Sequence, residues 1–307
     1  MRALMVSNLR SGVGDPGTHE FLREIGERDI EITLRFLREG AELDPLLADA
    51  DTFDRVIVAG GDGTISSALY ALRGCPVPVA LYPAGTANLF ARNLHLPSDP
   101  AELARIVFDG TPVRLDLGEL DINEGRGFFV MAGVGFDAGL IERAQPLKPI
   151  LGESAYIVAA LQDPLPTLAA FELELDGERV TIEGIAVVIV NLAMIQLDLS
   201  VTHNSDPRDG LFDVVVVKPR SVAGLMPTVL AALLDRIGHH EDRPGLQVYS
   251  AREVSVTTSV PLPFQADGEV LDHTGVLRAR VLAGAATVML PPGPFTAASP
   301  SADGREA

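Results

Sequence analysis

The sequence predicts a parallel α/β domain at the N-terminus and an antiparallel β domain behind it. Three observations lead to this fold class. The chain has 307 residues, which is enough for two domains. Up to about residue 111, apolar strand-like runs alternate with helical ones, which is typical of a parallel sheet covered by helices. From residue 112, short strand-like runs follow one another with turn residues between them, which indicates an antiparallel sandwich or barrel.

We therefore expect one domain over residues 1–111 and a second over residues 112–292. A flexible tail of mostly small and polar residues is expected over 293–307. The sequence leaves open whether part of this tail returns to the first domain.

In the first domain, strands and helices are predicted in alternation. Val56–Ala59 is β-branched and apolar on both faces, as in a buried parallel strand. The other predicted strands are Ala3–Val6, Ile30–Leu34 and Val77–Tyr82. The predicted helices are Glu20–Arg28, Thr64–Arg73 and a stretch that starts in the loop after Tyr82 and ends at Arg92.

The second domain is predicted to consist mainly of short strands, with two helices. The strands are Val113–Leu117, Gly127–Ala132, Phe171–Leu175, Arg179–Ile182, Ile185–Val190, Phe212–Val217, Glu253–Thr257 and Val276–Val281. The helices are Ser154–Gln162 and Ser221–Arg236.

Composition and charge exclude several classes of function. The formal net charge is −18 and the only lysines are Lys148 and Lys218, so we expect no nucleic-acid partner. The same charge weakens attraction to an anionic membrane, so any membrane contact needs a local apolar or basic surface. The single cysteine, Cys75, fits a reducing compartment. Because no signal peptide or spanning segment is visible, we expect a cytoplasmic protein.

The first candidate site is the loop Gly60-Gly61-Asp62-Gly63-Thr64, which follows the predicted strand Val56–Ala59. Ligands of open α/β sheets bind at the carboxyl ends of the strands. Glycines there allow positive φ and close approach to a ligand, and the amides at the next helix start can bind an anion. Asp62 would repel a bare phosphate, so it fits only a site where it holds Mg²⁺ or accepts a proton. Thr64 is predicted to cap the helix and to donate to a phosphate oxygen.

A second loop of similar design follows the next strand. Pro83-Ala84-Gly85-Thr86-Ala87-Asn88 opens another helix and should therefore lie at the same edge of the sheet. Thr86 and Asn88 offer short polar groups to a nucleotide. The pair of loops favours a functional site over two capped turns, although neither loop has the Walker spacing or the dinucleotide glycine pattern.

These loops resemble the diacylglycerol kinase catalytic-domain family, which includes bacterial lipid kinases and the sphingosine and ceramide kinases. The further matching motifs are Asn8 with Ser11-Gly12, Leu115–Gly118, Gly133–Ala138, Asp209–Asp213 and Gln265–Glu269. Their order and spacing span the chain from Asn8 to about Leu290.

The resemblance implies an ATP- and Mg²⁺-dependent kinase that phosphorylates a lipid hydroxyl, with a diacylglycerol-like acceptor. It implies an α/β nucleotide domain, a β-sandwich lipid domain and an active site in the cleft between them. The residues implied around ATP are Asn8, Gly60, Gly61, Gly63, Thr64, Gly85, Thr86 and Asn88. The catalytic acidic residues would be Asp62, Asp116 and Glu269, with Glu269 favoured as the base and Asp62 as the alternative. Asp209, Leu211 and Asp213 resemble a turn that holds a structural Mg²⁺.

Several of these motifs also have plain structural interpretations. Asp116 is compatible with a strand-edge carboxylate, and Asp267-Gly268-Glu269 with a hairpin turn. Asp209–Asp213 is compatible with an ordinary turn, since Pro207 does not fit an EF-hand loop. We interpret His239–Asp242 as a solvated helix end. The apolar helix around Leu225–Leu234 is compatible with a membrane, a lipid tail or the core.

The acceptor is left open by departures from the family pattern, such as Leu89 in place of an acidic residue and Leu192–Gln196 in place of a glycine-rich turn. Two other functions remain as alternatives: an NAD kinase-like enzyme with a soluble acceptor, and a non-catalytic nucleotide- or lipid-binding protein. For partners, the sequence predicts a lipid at the membrane surface, reached by transient peripheral association, and it leaves a homodimer open.

Overall fold

The computed structural model describes residues 1–9, 11, 16–122, 125–147, 159, 162, 165–194, 202, 205–219, 221–235, 243–271, 275–293 and 295. The chain divides into two compact units. The first contains Met1–Leu117 and Leu282–Thr296, and the second contains Gly118–Val281. Within the described part of the chain, no helix is long and apolar enough to span a bilayer.

The first unit is an α/β structure. Its strands are β1 (Arg2–Asn8), β2 (Glu31–Leu37), β3 (Arg55–Gly60), β4 (Val79–Pro83), most of β5 (Thr111–Leu120) and the end of β16 (Val276–Leu290). Its helices are α1 (Pro16–Gly26), α2 (Asp44–Leu47), α3 (Asp62–Ala71), α4 (Leu89–Asn93) and α5 (Pro100–Asp109), with a short 3-10 helix at Ala50–Thr52.

The central strands of this unit run in parallel, in the order β2-β1-β3-β4. The order is typical of strand–helix–strand units, which place the carboxyl ends of successive strands at one edge. Helices α1 and α5 bury Phe21 and Val107 against the sheet. Helix α5 starts where the Asp99 side chain accepts hydrogen bonds from the first-turn amides of Ala101 and Glu102, at 2.7 and 3.2 Å, with Pro100 following the cap.

The second unit is built mainly from antiparallel strands. They are β6 (Arg126–Phe128), β7 (Met131–Gly135), β8 (Ala169–Leu175), β9 (Glu178–Gly184), β10 (Ala186–Val190), β11 (Phe212–Val217), β12 (Leu246–Ala251), β13 (Glu253–Thr258), β14 (Phe264–Ala266), β15 (Glu269–Leu271) and the start of β16. Its helices are α6 (Phe136–Ala144), α7 (Met226–Asp235) and the 3-10 helices Gln145–Leu147 and Ala223–Leu225.

These strands form two layers around one core. One sheet has the order β12-β11-β10-β7-β14-β15, and in the other layer β16, β13, β8 and β9 are neighbours. Alternate residues of the strands, such as Phe171, Ile189 and Val214, are fully buried in a shared apolar cluster. The predicted fold class, a parallel α/β unit with an antiparallel β-sandwich, is confirmed.

Several elements differ from the sequence prediction. Helix α3 begins at Asp62 rather than Thr64, and α5, α6 and β12 were not predicted. The strand predicted over Gly127–Ala132 is two strands, because the amides of residues 129–131 donate to the Asp267 carboxylate. The helix predicted at Ser221–Arg236 is a 3-10 turn followed by α7. Of the helix predicted at Ser154–Gln162, the structure describes only residues 159 and 162, and both are helical. The His239–Asp242 segment and almost all of the tail lie outside the described residues.

Candidate functional site

Three parallel strands of the first unit end side by side. In the sheet register Ser7 lies opposite Ala59, and Gly60 lies opposite Pro83. The residues that end β1, β3 and β4, namely Asn8, Gly60 and Pro83, therefore reach the same edge. This confirms the geometric expectation that the two glycine loops start together.

The glycines of the first loop serve close packing rather than unusual backbone angles. Gly60, Gly61 and Gly63 do not have positive φ, so that part of the sequence prediction was wrong. Gly61 is the N-cap of α3, with φ −84° and ψ 179°. A Cβ at Gly60 would lie 2.6 Å from the Thr64 Cβ, so no larger residue fits without a shift of the helix start.

The two glycine loops touch each other backbone to backbone. A Cβ added to Gly85 would lie 2.7 Å from the Gly61 Cα and 2.8 Å from the Asn88 Oδ1. A Cβ added to Gly61 would lie 3.4 Å from the Gly85 Cα, and Ser11 Oγ comes within 3.9 Å of the same point. Glycine at both positions is what lets the loops meet without side chains between them.

Asn8 and Thr64 join the end of β1 to the start of α3. The Asn8 Nδ2 group donates to the Thr64 Oγ1 at 2.7 Å. Thr64 lies in the first turn of the helix and is not its N-cap, which corrects the predicted capping role. This bond links the two residues at the edge where the sheet meets helix α3.

Asn88 closes the second loop on itself. Its Oδ1 accepts from the Gly85 amide and its Nδ2 donates to the Gly85 carbonyl, both at 2.9 Å. Asn88 has φ 47°, a left-handed conformation that asparagine tolerates better than most residues. The predicted role of its amide as a nucleotide contact is thus accompanied by a structural role in shaping the loop. Thr86, at the tip of the loop, is exposed.

Asp62 ties the first loop to the helix after the second. It is partly buried in the first turn of α3, and its Oδ1 accepts a hydrogen bond from the Phe90 amide at 3.1 Å. Phe90 is itself 1% exposed, so this bond joins two well-fixed segments. No pattern in the sequence predicted this contact.

The residues at this edge fit a nucleotide phosphate. Gly61 brings no side chain to the N-terminus of α3, and the first intrahelical bond is the one from the Ile65 amide to the Gly61 carbonyl, at 3.0 Å. The first-turn amides of Gly63 and Thr64 precede this bond and have no carbonyl four residues earlier to pair with inside the helix. Amides in this position bind anions, and the adjacent Asp62 carboxylate is an oxygen ligand of the type that Mg²⁺ prefers.

Asp116 is a buried carboxylate held by backbone. It is 1% exposed on β5, and its Oδ1 accepts from the Gly284 amide at 2.6 Å. Arg114, two residues earlier, donates from Nε to the Gly284 carbonyl at 3.1 Å. The two side chains bind the amide and the carbonyl of the same residue of β16, a glycine with φ 55°. The catalytic role implied for Asp116 stays a prediction, and the structure adds an architectural role.

In the second unit, Glu269 follows the hairpin turn that the sequence allowed. Asp267 and Gly268 both have positive φ, at 45° and 82°, and join β14 to β15 in a two-residue turn. The Asp267 carboxylate accepts from the amides of residues 129, 130 and 131, at 2.7, 2.8 and 3.0 Å. Glu269 begins β15 and forms an ion pair with Arg126, whose Nη2 lies 2.6 Å from the Glu269 Oε2. Sequence analysis identified Glu269 but missed Arg126.

The predicted structural metal turn is ordered by its own hydrogen bonds. Asp209 Oδ1 accepts from the Leu211 amide at 2.8 Å, and the Asp213 carboxylate accepts from the Ser205 hydroxyl. Among the residues that the structure describes, no three His, Cys, Asp or Glu side chains are grouped so as to hold a metal. The metal-binding role of Asp209, Leu211 and Asp213 stays a prediction.

Comparison with known proteins gives this architecture a class. Residues 2–120 match the diacylglycerol kinase catalytic domain, and residues 130–290 match the YegS C-terminal NAD kinase beta sandwich-like domain. These two matches define a kinase with a catalytic α/β unit and a β-sandwich unit.

Individual relatives are consistent with that class. A diacylglycerol kinase of Mycobacterium tuberculosis is 32% identical over 233 residues, covering 69% of this chain and 73% of that protein. A probable YegS-like lipid kinase of Klebsiella pneumoniae is 26% identical over 288 residues, covering 92% of this chain and 93% of that protein. The crystal structure of a diacylglycerol kinase from Bacillus anthracis shares the fold, with a TM-score of 0.69 at 20% identity over 95% of this chain and 97% of that one. The chain belongs to the diacylglycerol kinase family.

Proposed function

We propose that this protein transfers the γ-phosphate of ATP to the hydroxyl of a diacylglycerol-like lipid, with Mg²⁺ as the cofactor. The observation that carries the proposal is the double glycine loop at the carboxyl edge of β1, β3 and β4. There, Gly61 and Gly85 are in backbone contact beside the N-terminus of α3. Family membership supports the reaction class.

The first unit is proposed to bind the nucleotide. Backbone amides at the start of α3 would receive phosphate oxygens, which suits a protein with few lysines to serve as a clamp. Asn8, bonded to Thr64, holds the helix start against β1. Together with Gly61 and Gly85, the residues Gly60, Gly63, Thr86 and Asn88 complete the proposed set around ATP.

Asp62 is proposed to hold Mg²⁺ beside the phosphates. When bound, the ion supplies charge neutralisation to the phosphate oxygens during transfer. Because Asp62 Oδ1 also accepts from the Phe90 amide, the carboxylate has a fixed orientation before any ligand arrives. A carboxylate that is already oriented lowers the activation barrier of the transfer, because no free energy is needed to reorient it during the reaction.

Glu269 is proposed as the general base. In the transfer, the lipid hydroxyl oxygen bonds to the γ-phosphorus, and the bond from that phosphorus to the ADP oxygen breaks. The hydroxyl proton passes to the Glu269 carboxylate. Arg126 is proposed to position this carboxylate through their ion pair, and Asp62 is the alternative base.

Two further acidic positions have supporting roles in the proposal. Asp116 would act through the Gly284 peptide that it holds, in addition to the role around Mg²⁺ that the family implies. The turn Asp209–Asp213 is proposed to bind a structural Mg²⁺ through Asp209, Leu211 and Asp213.

We further propose cytoplasmic location with transient attachment to the membrane that contains the lipid.

The test is transfer of labelled phosphate from ATP with Mg²⁺ to diacylglycerol, monoacylglycerol, phosphatidylglycerol, sphingosine, ceramide, undecaprenol and NAD. Asp62→Asn is the matched control, because asparagine keeps an oxygen that can accept from the Phe90 amide while it removes the charge. We expect one lipid to be phosphorylated, and the variant to lose at least about a hundredfold in kcat while it stays folded. Transfer to NAD alone would refute the lipid-kinase proposal, and ATP binding without any transfer would favour a non-catalytic member.

A further inference from the structure

Helix α7 of the second unit exposes an apolar face. Met226 and Leu230, one helical turn apart, are 59% and 57% exposed, whereas Thr228 and Ala231 on the other side of the helix are 9% and 5% exposed. Ala223 and Pro227 next to them are also exposed. Large apolar side chains at a spacing of four residues form one continuous stripe. We call the side chains of Met226 and Leu230 the α7 stripe.

The α7 stripe is held outward by contacts on the opposite side. The Thr228 hydroxyl donates to the Pro244 carbonyl, and the Lys218 amide donates to the Gly245 carbonyl at 2.9 Å. Gly245, with φ 84°, packs so tightly on Pro219 that a Cβ there would lie 2.6 Å from the ring. The helix is therefore fixed to the turn before β12, and its apolar face is exposed on an anchored element.

The sequence segment that carries the α7 stripe differs in charge from the chain as a whole. Asp and Glu make up 42 of 307 residues, yet none occurs between Asp213 and Asp235. This segment contains Arg220 and one of the two lysines, Lys218, which is exposed. An apolar stripe that two basic residues precede in sequence, with no acidic residue before Asp235 at the end of the helix, is complementary to an anionic lipid surface.

A second exposed apolar patch provides the contrast. Leu34 and Phe36 on the edge strand β2 are 41% and 48% exposed. The segment 34–51 carries five acidic residues against the basic Arg35 and Arg38, a net charge of −3, and Arg35 is paired with Asp49. The acidic residues are Glu39, Glu42, Asp44, Asp49 and Asp51. The negative charge of this segment would repel anionic lipid. Both patches are exposed and apolar, and they differ in the charge of the sequence around them.

We propose that the α7 stripe, with Lys218, is the surface by which the protein docks on an anionic bilayer. The proposal rests on the proposed lipid-kinase function for its biological purpose but not for its physical basis. Docking would insert Met226 and Leu230 among the acyl chains and leave Lys218 at the level of the lipid phosphates.

The experiment measures cosedimentation of the full chain with vesicles of phosphatidylglycerol or of phosphatidylcholine. We expect the Met226→Gln/Leu230→Gln variant to bind phosphatidylglycerol vesicles at least about tenfold more weakly. The variant lacks the two apolar side chains whose transfer from water to the bilayer favours binding. Lys218→Gln should cost about fivefold, and only on phosphatidylglycerol. The matched control is Leu34→Gln/Phe36→Gln, which replaces two exposed apolar side chains of β2, 41% and 48% exposed, and should leave binding unchanged. Circular dichroism melts check that each variant folds.

The outcomes separate this proposal from the kinase proposal. Vesicle binding that is equal in wild type and the α7 variant, or lost equally in the β2 control, overturns the docking surface. A third result also overturns it: sedimentation shows that the wild type is a dimer and the α7 variant a monomer, while vesicle binding is unchanged. In that case a second copy of the chain covers the stripe. Transfer to a short-chain diacylglycerol dissolved as monomers should be the same in wild type and the α7 variant. If that transfer fails while binding still depends on the stripe, docking stands and the kinase proposal falls.

Discussion

Replacement of Gly85 by alanine tests whether the contact between the two glycine loops builds the site. The new Cβ would lie 2.7 Å from the Gly61 Cα, whereas carbon atoms in contact prefer about 3.5–4.0 Å. One loop must therefore move by about 1 Å, because the opposing atom is backbone and cannot turn away. Gly85 does not have a positive φ, so the substitution adds no backbone strain of its own.

The displacement should affect the catalytic rate more than the unfolding free energy. Overpacking typically costs about 1–3 kcal/mol of unfolding free energy, which a protein of this size can tolerate. A misplacement of about 1 Å in a catalytic site costs on the order of a hundredfold in rate. We therefore expect Gly85→Ala to lose far more in kcat/KM for ATP than in stability.

The assay combines steady-state phosphate transfer, calorimetric titration of ATP and urea unfolding. Gly26→Ala is the control, since a Cβ there meets nothing within 4 Å, and it should match wild type in all three. Gly61→Ala should be milder in its clash, because its Cβ would be 3.4 Å from the Gly85 Cα. Wild-type affinity for ATP and wild-type turnover in Gly85→Ala would refute the idea that this contact shapes the site.

Substitutions at three further positions probe the hydrogen bonds of single side chains. Asn88→Ala should be less stable than Asn88→Gly by about 1 kcal/mol in urea unfolding. Both variants lose the hydrogen bonds to Gly85, but only alanine disfavours the left-handed φ of this position, so equal stability would contradict the argument. Arg126→Gln should lower kcat about tenfold and leave KM for ATP unchanged if the ion pair positions Glu269, and a selective rise of that KM would argue against it. Asp267→Ala should destabilise the fold by about 3–5 kcal/mol by stranding three amides, and Asp267→Asn by less; an unchanged thermal melt of the alanine variant would show that water replaces the carboxylate.

The architecture was predictable where local pattern determines it. Buried strands such as Val56–Ala59 and the loops after them can be recognised from a few adjacent residues, and parallel connectivity then brings Asn8, Gly60 and Pro83 to one edge. Helix α5 also had a local signal, Asp99 followed by Pro100, that went unused. The start of α3 was misplaced because both Asp62 and Thr64 are residue types that favour helix N-termini.

The contacts that hold the candidate site residues within each unit were not predictable, because their partners are distant in sequence. Asp267 binds the amide of Phe129 across 138 positions, and Asp116 binds the amide of Gly284 across 168. The close approach of Gly61 to Gly85 likewise depends on sheet register, which no single loop encodes. The residue types at these positions suggest a chemistry, but whether a carboxylate supports backbone or faces a ligand is decided by the fold.

The long last strand has a consequence for how the protein is made. Every residue proposed to surround ATP is synthesised within the first 88 positions, yet the apolar core beneath them includes Met289, and Val288 pairs with Val79 of β4. A ribosome must therefore deliver nearly the entire polypeptide before the first unit can complete its sheet. A nascent chain that terminates before residue 282 would carry the complete set of proposed ATP-binding residues and none of this closing strand segment. Premature termination should thus yield molecules that are cleared as unfolded protein and do not persist as defective ATP-binding fragments.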